Sequence, residues 1–204
     1  MEPLRQYKLK SGNVLKIFQE DDPESPRDDD NLGVMVCFHN RYKLGDKHDY
    51  NPRDYAGWDE MEAAIIKAEK PVAMLPLYLY DHSGLRMKVG SFQGLLPQGH
   101  AEFDSGQVGF IFARAKDVLE SWSVKRISPK LKEKVEEVLR SEVETYDQYL
   151  CGDIYWFEVV KPEKCDKCGN VDEEVVDSCG GFYGSDPKKN GMMDNIRDEI
   201  VEEL

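Results

Sequence analysis

The stretch that decides the fold, residues 71–112, reads PVAMLPLYLYDHSGLRMKVGSFQGLLPQGHAEFDSGQVGFIF. It is rich in apolar, aromatic and glycine residues, in contrast with the acidic sequence around it. Short apolar runs bounded by turn residues are typical of buried strands. The stretch and its immediate continuation therefore predict three strands, at 72–80, 85–90 and 106–114.

The turn Asp81-His82-Ser83-Gly84 separates the first two of these strands and has the residue types that short turns favour. Pro76 lies inside the first strand and has no backbone N–H to donate. It therefore favours an edge position or a bulge for that strand.

Outward from this stretch, the pattern predicts further strands and helices. Apolar residues on either side of a Ser-Gly-Asn turn predict a β-hairpin, and the long helix has Ser128 as N-cap and Pro129 in its first turn. The predicted strands are 6–19 (as a hairpin), 32–39, 153–160 and 173–179, and the predicted helices are 59–70, 117–122, about 129–151 and an acidic amphipathic helix at 192–204.

These elements predict an α+β fold with a mainly antiparallel sheet, because strands do not alternate regularly with helices. A chain of 204 residues is expected to form a single domain, 1–204. An acidic loop at 20–30, a cysteine-containing hairpin at 160–179 and the C-terminal helix would be its appendages. No apolar run is long enough to span a bilayer and the start of the chain has no signal-peptide pattern, so we expect a cytoplasmic protein.

The charge is strongly unbalanced, with 40 Asp and Glu against 27 Lys and Arg and a net charge of −13. Such a surface opposes binding to nucleic acid, which needs cationic side chains to displace counterions. It is consistent with a solvated exterior or with a surface that meets a basic partner. In the second case we expect contacts through the acidic loop and the C-terminal helix, namely at Asp28, Asp29, Asp30, Asp198, Glu199 and Glu202.

Five cysteines at irregular spacing are a poor disulfide framework. Cys37 and Cys151 are expected to be buried thiols. The turn Cys165-Asp166-Lys167-Cys168-Gly169 resembles a zinc knuckle, with Cys179 as a third ligand. A tetrahedral site needs a fourth ligand, which would have to be Cys151 or a histidine from elsewhere in the fold, and a polar β-turn with two thiols is the alternative to zinc.

Two polar clusters at predicted strand ends are candidates for chemistry: Asp81 to Gly84, and Asp104 to Gln107. Asp81, His82 and Asp104 could hold a divalent metal or act as an acid–base pair. Ser83 or Ser105 with His82 could form a nucleophile and its base. The alternative is turn chemistry, in which Asp and Ser bond to nearby backbone.

The segment 39–48 is mildly basic and aromatic, with His39 and His48 at its ends. It could bind a small molecule that bears a phosphate. An ordered surface loop without a ligand is the alternative.

Several segments together resemble a family of small proteins encoded by bacteriophages and other mobile elements. The matching text is DNLGVMVCFHNRYKLGD, LPLYLYDHSG, DSGQVGFIF and SEVETYDQYLCGDIYWFEV followed by DSCGGFYG, which covers roughly residues 28–184. The resemblance implies a phage-type source and a cytosolic setting, and it implies no reaction. Small acidic phage proteins often inhibit host defences, which is an analogy at the level of composition.

The first hypothesis is therefore a non-enzymatic accessory protein that binds a host or phage macromolecule through its acidic exterior. The second is a metal-dependent hydrolase of a phosphoester or nucleotide that uses Asp81, His82 and Asp104. The third is a small-ligand-binding protein with a pocket formed by the 39–48 and 82–107 loops. The second and third require the two polar clusters to converge on one cleft.

Overall fold

The structure is a computed structural model that describes residues 1–96, 99–164, 169, 171–196 and 198–204. For Glu102 and Lys164 it describes the backbone alone. The strands are β1 (Arg5–Leu9), β2 (Val14–Gln19), β3 (Val34–Cys37), β4 (Pro71–Asp81), β5 (Leu85–Val89), β6 (Ser105–Arg114), β7 (Ile154–Lys164), β8 (Val171–Tyr183) and β9 (Ile200–Glu203). The helices are α1 (Trp58–Glu69), α2 (His100–Phe103), α3 (Ala115–Ser121), α4 (Pro129–Leu150) and α5 (Met192–Asn195), with a 3-10 turn at Pro52–Asp54.

These elements form an α+β fold with two antiparallel sheets, which confirms the predicted fold class. The chain divides into two compact units. The central unit comprises Ser25–Cys151, and the terminal unit comprises Met1–Glu24 with Gly152–Leu204. The expectation of one domain over 1–204 stays a prediction.

The central unit contains a four-stranded sheet in the order β3-β6-β4-β5. Helix α4 begins where predicted, because the Ser128 side chain accepts a hydrogen bond from the Leu131 N–H at 3.2 Å and Pro129 occupies the first turn. Its apolar residues recur every three or four positions and are buried in a core shared with β4, β5 and β6. Truncating a fully buried side chain such as Leu139 to Ala would cost about 2–5 kcal/mol.

Helix α1 contributes Met61 and Ile65 to a second core cluster with residues of β3 and β6. Close approach of β3 to β6 depends on Gly109, because a Cβ there would lie 1.9 Å from the Val36 carbonyl oxygen. The two strands therefore pair tightly next to the end of the sheet at which β3 terminates. Pro76 lies just outside the section of β4 that pairs with β5, so its missing N–H removes no bond to that strand. β4 is an inner strand and not an edge strand, and the register irregularity at Leu77/Tyr78 arises because Val108 of β6 has no residue opposite it.

The terminal unit contains a five-stranded sheet in the order β8-β7-β2-β1-β9. The predicted hairpin at 6–19 is confirmed as β1 and β2. The predicted strands at 153–160 and 173–179 are confirmed as parts of β7 and β8, which pair antiparallel. In the described part of the chain, every helix is too short or too polar to span a lipid bilayer.

The predicted acidic helix at 192–204 is wrong. Helix α5 ends at Asn195, Ile196 is extended, and β9 pairs antiparallel with β1, Lys8 lying opposite Glu202. An isolated helix of this length is marginal in water, whereas the open edge of β1 offers backbone hydrogen-bond partners. The isoleucine spacing that suggested a helix also lets Ile196 and Ile200 reach the core of the terminal unit.

Candidate functional site

A cleft of about 900 Å³ opens in the central unit, at the end of the sheet where β3 and β4 finish and β6 begins. Its walls include the segment 38–48, Asp81 at the end of β4, and residues 103–108 at the start of β6. Strand-end loops supply many functional groups because a rigid sheet positions them. The sequence clusters at 81–84 and 104–107 thus lie at one edge of one sheet.

Strand pairing brings the two predicted clusters together. Tyr80 lies opposite Ser105, and the Asp81 N–H donates to the Asp104 carbonyl at 2.9 Å. Asp81 and Asp104 are therefore neighbours across β4 and β6, and both line the cleft.

Asp104 is in contact with two histidines. The carboxylate Oδ2 lies 3.2 Å from Nδ1 of His82 and 3.5 Å from Nδ1 of His100. The ligand atoms of the three residues all lie within 4.8 Å of one another. Nδ1 of His100 is buried and has no hydrogen-bond partner among the described residues. This nitrogen faces the carboxylate without forming a hydrogen bond to it.

The two separations from Asp104 Oδ2, 3.2 and 3.5 Å, are close to those of ligands on one metal ion, and the third is at most 4.8 Å. Tetrahedral zinc with bonds of about 2.0–2.2 Å to nitrogen and oxygen places its ligand atoms roughly 3.3–3.6 Å apart. Three protein ligands with a fourth position open is the arrangement of catalytic zinc sites. The three side chains are between 30% and 51% exposed, while the ligand atom Nδ1 of His100 is itself buried. His82, His100 and Asp104 could therefore hold a divalent cation.

Asp81 is held by two other side chains. The Arg41 guanidinium forms an ion pair with its Oδ2, and Nε2 of His39 lies 3.6 Å from the same oxygen. Nδ1 of His39 accepts hydrogen bonds from the backbone N–H groups of Arg41 and Tyr42, both at 3.3 Å. In the neutral ring the proton is therefore on Nε2, the nitrogen that faces Asp81.

The segment 39–48 provides cationic side chains to a protein that is otherwise acidic. It contains Arg41, Lys43 and Lys47, with Asp46 as its single acid, and both lysines line the cleft. The Asp46 charge is balanced by Arg27, whose Nε and Nη2 each donate to this carboxylate at 2.8 Å. The segment therefore gives one wall of the cleft a locally positive charge.

The same segment is fixed to the core of the central unit. Oδ2 of Asp46 accepts the Met35 N–H at 2.7 Å, and the Tyr146 hydroxyl accepts the Gly45 N–H at 3.0 Å. Gly45 has φ +67°, and a Cβ there would lie 2.5 Å from the Met35 carbonyl oxygen. Only glycine fits this position, so the cationic wall is held in place before any ligand arrives.

Arg27 links the segment 39–48 to helix α4 through ion pairs with Asp46 and Glu142. Burial alone would lower the pKa of its guanidinium, but hydrogen bonds and the charges of Asp46 and Glu142 outweigh that effect and raise it. Nη1 of Arg27 donates to Glu142 on α4 at 3.0 Å. The network therefore connects the cleft segment to the long helix.

Two groups on the cleft wall are unsuited to nucleophilic chemistry. Burial raises the pKa of the Cys37 thiol to about 12, so it stays protonated at neutral pH. Ser105 uses its hydroxyl to donate to the Ala101 carbonyl. Ser83 lies in the exposed turn between β4 and β5 with φ +56° and does not line the cleft. The proposed pairing of a serine with His82 thus gains no support from these positions.

The predicted zinc knuckle falls mostly outside the described residues, since these do not include Cys165 and Cys168. Cys179 is an exposed free thiol on β8, opposite Phe157 of β7. A structural zinc at these cysteines stays a prediction. Cys37 is buried as predicted, whereas the expectation that Cys151 is buried is wrong, because it caps α4 at the surface.

The six predicted acidic contact residues fall into two groups. Asp28, Asp29 and Asp30 are exposed and follow Arg27 directly. The others contact their own unit: Asp198 Oδ2 accepts the Ser11 N–H at 3.1 Å, Glu199 pairs with Lys10 at 3.1 Å, and Glu202 lies opposite Lys8. Partner binding at all six positions stays a prediction.

His100 is the ligand that sequence reasoning missed. The spacing His100-Ala-Glu-Phe-Asp104 contains the signal, because residues four apart lie on one face of a helical turn. The Asp104 N–H indeed donates to the His100 carbonyl at 3.0 Å. His39 and Arg41 are brought to Asp81 by the pairing of β3, β6 and β4, which no local spacing reveals.

No protein-family model, no curated protein and no solved structure matches this chain. The function of the cleft is therefore inferred from its own residues.

Proposed function

We propose that the central unit is a divalent-metal-dependent hydrolase of small phosphoesters. The observation that carries this proposal is the convergence of His82, His100 and Asp104 within 4.8 Å, beside a cleft with a cationic wall. Two histidines and a carboxylate suit zinc and similar divalent ions. The proposal has two parts, the binding of such an ion and the hydrolysis reaction.

The 39–48 wall of the cleft presents cationic groups to an anionic ligand, since Lys43 and Lys47 line it in a chain of net charge −13. The carboxylates Asp46, Asp81 and Asp104 line the cleft as well, and of these Asp46 pairs with Arg27 and Asp81 pairs with Arg41. Cationic side chains in a cleft concentrate anions and stabilise the charge of a phosphoryl group. We assign the two lysines to the non-bridging phosphate oxygens.

A cation bound at this site would supply a more acidic bound water and polarise a phosphoryl oxygen. Asp81 is the carboxylate placed to accept the proton of the attacking water, because His39 and Arg41 hold it at the cleft wall next to Asp104. The water oxygen forms the new bond to phosphorus. The bond from phosphorus to the ester oxygen breaks, the leaving alkoxide takes a proton from solvent, and Asp81 returns its proton to solvent.

The test uses the full chain with Cys165, Cys168 and Cys179 changed to Ser, so that thiolates do not compete for the metal. Hydrolysis of p-nitrophenyl phosphate is followed after chelation and after addition of Zn²⁺ or Mn²⁺. We expect metal-dependent turnover that His82→Asn abolishes and that Asp81→Asn lowers about 10²- to 10⁴-fold. Glu137→Gln, at an exposed position on α4, is the matched control and should leave turnover unchanged.

Turnover that survives chelation, or that His82→Asn leaves intact, would contradict the proposal. Circular dichroism of each variant establishes that a loss of activity is not a loss of fold.

A second candidate function is binding of a basic macromolecule by the exposed acids Asp28, Asp29 and Asp30. The ion pairs of the buried Arg27 with Asp46 and Glu142 favour this function, because they hold in place the residue that directly precedes the three exposed acids. A pull-down from bacterial lysate at low and moderate salt should recover a partner that the triple Asp→Asn variant loses. Equal recovery by both proteins would argue against this function.

A further inference from the structure

Two aromatic side chains that line the cleft are exposed to solvent. The Phe103 residue is 86% exposed and Tyr42 is 40% exposed, and both line the cleft. A phenyl ring left in water forgoes about 1.5–3 kcal/mol of burial free energy. Phe103 also directly precedes Asp104, which belongs to the candidate metal site.

The two rings differ in how they are supported. Tyr42 is fixed from behind, because His39 stacks on it with centroids 5.1 Å apart and the Arg41 guanidinium lies 5.5 Å from its centroid. Phe103 presents nearly its whole ring to solvent at the cleft wall. A planar ligand could therefore stack on the exposed ring of Phe103, whereas on Tyr42 it would have to compete with the contacts that His39 and Arg41 already make.

We infer that the phosphoester taken by this cleft is a nucleotide, whose base stacks on Phe103 while Lys43 and Lys47 hold its phosphate. This inference rests on the proposed function for the phosphoester part and on the exposed rings for the base. Base stacking on an aromatic side chain is worth about 1–3 kcal/mol and tolerates any base. The cleft volume of about 900 Å³ lies in the range of small-molecule pockets, so a nucleotide fits by size.

The polar lining is suited to the edge of a base. Asn40 and Gln107 both line the cleft, and each amide group can donate and accept hydrogen bonds. Gln107 Nε2 donates to the Gly109 carbonyl at 3.4 Å, which leaves its amide oxygen to accept from a ligand. A simple alkyl phosphate would use the lysines and would not contact Phe103 or the Asn40 amide. The ligand that uses all of these groups has a phosphate at one end and a planar polar ring at the other.

The experiment compares adenosine 5′-monophosphate with ribose 5-phosphate, which has the same phosphate and sugar without the base. Binding to the full chain is measured by isothermal titration calorimetry after chelation, and turnover is measured separately with Zn²⁺ or Mn²⁺. We expect the nucleotide to bind about 5- to 150-fold more tightly than the sugar phosphate, as its stacking free energy implies. Phe103→Ala should remove most of that difference and leave ribose 5-phosphate binding unchanged, and Phe103→Trp should retain it.

Leu95→Ala is the matched control, because Leu95 is also an exposed apolar side chain of the central unit but does not line the cleft. Equal affinity for the two ligands, no nucleotide binding at millimolar concentration, or equal loss for both ligands in Phe103→Ala would overturn the inference. Phe103-dependent nucleotide binding without turnover would support the inference and contradict the hydrolase proposal. Metal-dependent turnover of both phosphates at equal efficiency, with equal affinities, would support the hydrolase proposal and contradict the inference of a nucleotide ligand.

Discussion

Replacing Arg27 by Met should be among the most damaging single substitutions at a charged position in the central unit. The Arg27 side chain is 4% exposed, and its partners Asp46 and Glu142 are 22% and 12% exposed. Removing one partner of a buried ion pair costs about 3–5 kcal/mol, because the remaining charge is left buried without compensation. Here two carboxylates would lose their shared cation.

Remaining hydrogen bonds reduce the expected cost. Oε1 of Glu142 also accepts the Leu32 and Gly33 N–H groups at 2.9 and 3.1 Å, and Oδ2 of Asp46 accepts the Met35 N–H at 2.7 Å. These donors stay in place in the variant and continue to stabilise the charges. We therefore expect Arg27→Met to lower the free energy of unfolding by about 3 kcal/mol, the lower end of that range.

Urea unfolding followed by circular dichroism measures this change. Arg86→Met is the matched control, since Arg86 also forms a two-bond contact with a carboxylate, Asp147, but its side chain is 59% exposed. It should cost less than Arg27→Met, because only one carboxylate, the 14% exposed Asp147, loses its cation and the Met87 N–H continues to donate to it at 2.6 Å. The double variant Arg27→Met/Glu142→Gln should be more stable than Arg27→Met, because one uncompensated charge is gone. An Arg27→Met cost as small as that of Arg86→Met would refute the reasoning.

Two further predictions concern titration. In the native protein Cys37 should resist iodoacetamide at pH 8 while Cys151 and Cys179 react. The reason is that burial raises the pKa of the Cys37 thiol to about 12, whereas the other two thiols are exposed. Peptide mapping that finds Cys37 labelled at the same rate as the others would contradict this prediction. Hydrogen bonding from Arg114 lowers the pKa of Glu69 below its usual value of 4.5, so this pair stabilises the fold above about pH 4.5 and the contribution is lost as pH falls through the folded-state pKa. Urea midpoints of wild type and Glu69→Gln should therefore differ at pH 7, and the difference should shrink as the pH falls below 4.5. A difference that stays constant down to acid pH would rule the linkage out.

The sequence pattern predicts most of this fold because local rules agree with the tertiary packing. The long helix has an N-cap, a proline in its first turn and apolar residues at helical spacing, so α4 follows the prediction closely. The three strands of the central stretch likewise lie within one or two residues of their predicted bounds. At these positions propensity, pattern and burial all favour the same structure.

The last residues of the chain show where local pattern fails. Ile196, Ile200 and Leu204 are spaced as in a helix, but β1 has an open edge, and pairing with it decides the conformation of residues 200–203. The existence of that edge depends on the order of all five strands in the terminal sheet. Nothing within the last dozen residues encodes that order.

The candidate site was predicted in part. The clusters at 81–84 and 104–107 are visible as polar residues at strand ends, and their meeting follows from the pairing of β4 with β6. The contact between His39 and Asp81 depends in addition on where β3 lies along β6, and Gly109 fixes that register only through a backbone contact in space. The sequence therefore predicts Asp81, His82 and Asp104 at the strand ends, and His100 was overlooked although its spacing from Asp104 is local. The contact of His39 with Asp81 depends on a third strand and has no local signal.

The most direct test of the metal site uses the fact that the chain has four histidines, His39, His48, His82 and His100. Long-range ¹H–¹⁵N spectra of the histidine rings, recorded on the Cys165, Cys168 and Cys179 to Ser variant, resolve all four during titration with Zn²⁺. We expect one equivalent of Zn²⁺ to shift the Nδ1 signals of His82 and His100. Asp104→Asn should weaken this binding at least ~10-fold, since loss of even a residue that supports a metal ligand costs about 10- to 100-fold in affinity. Spectra in which the rings of His82 and His100 stay unchanged at saturating Zn²⁺ would contradict the proposed metal site.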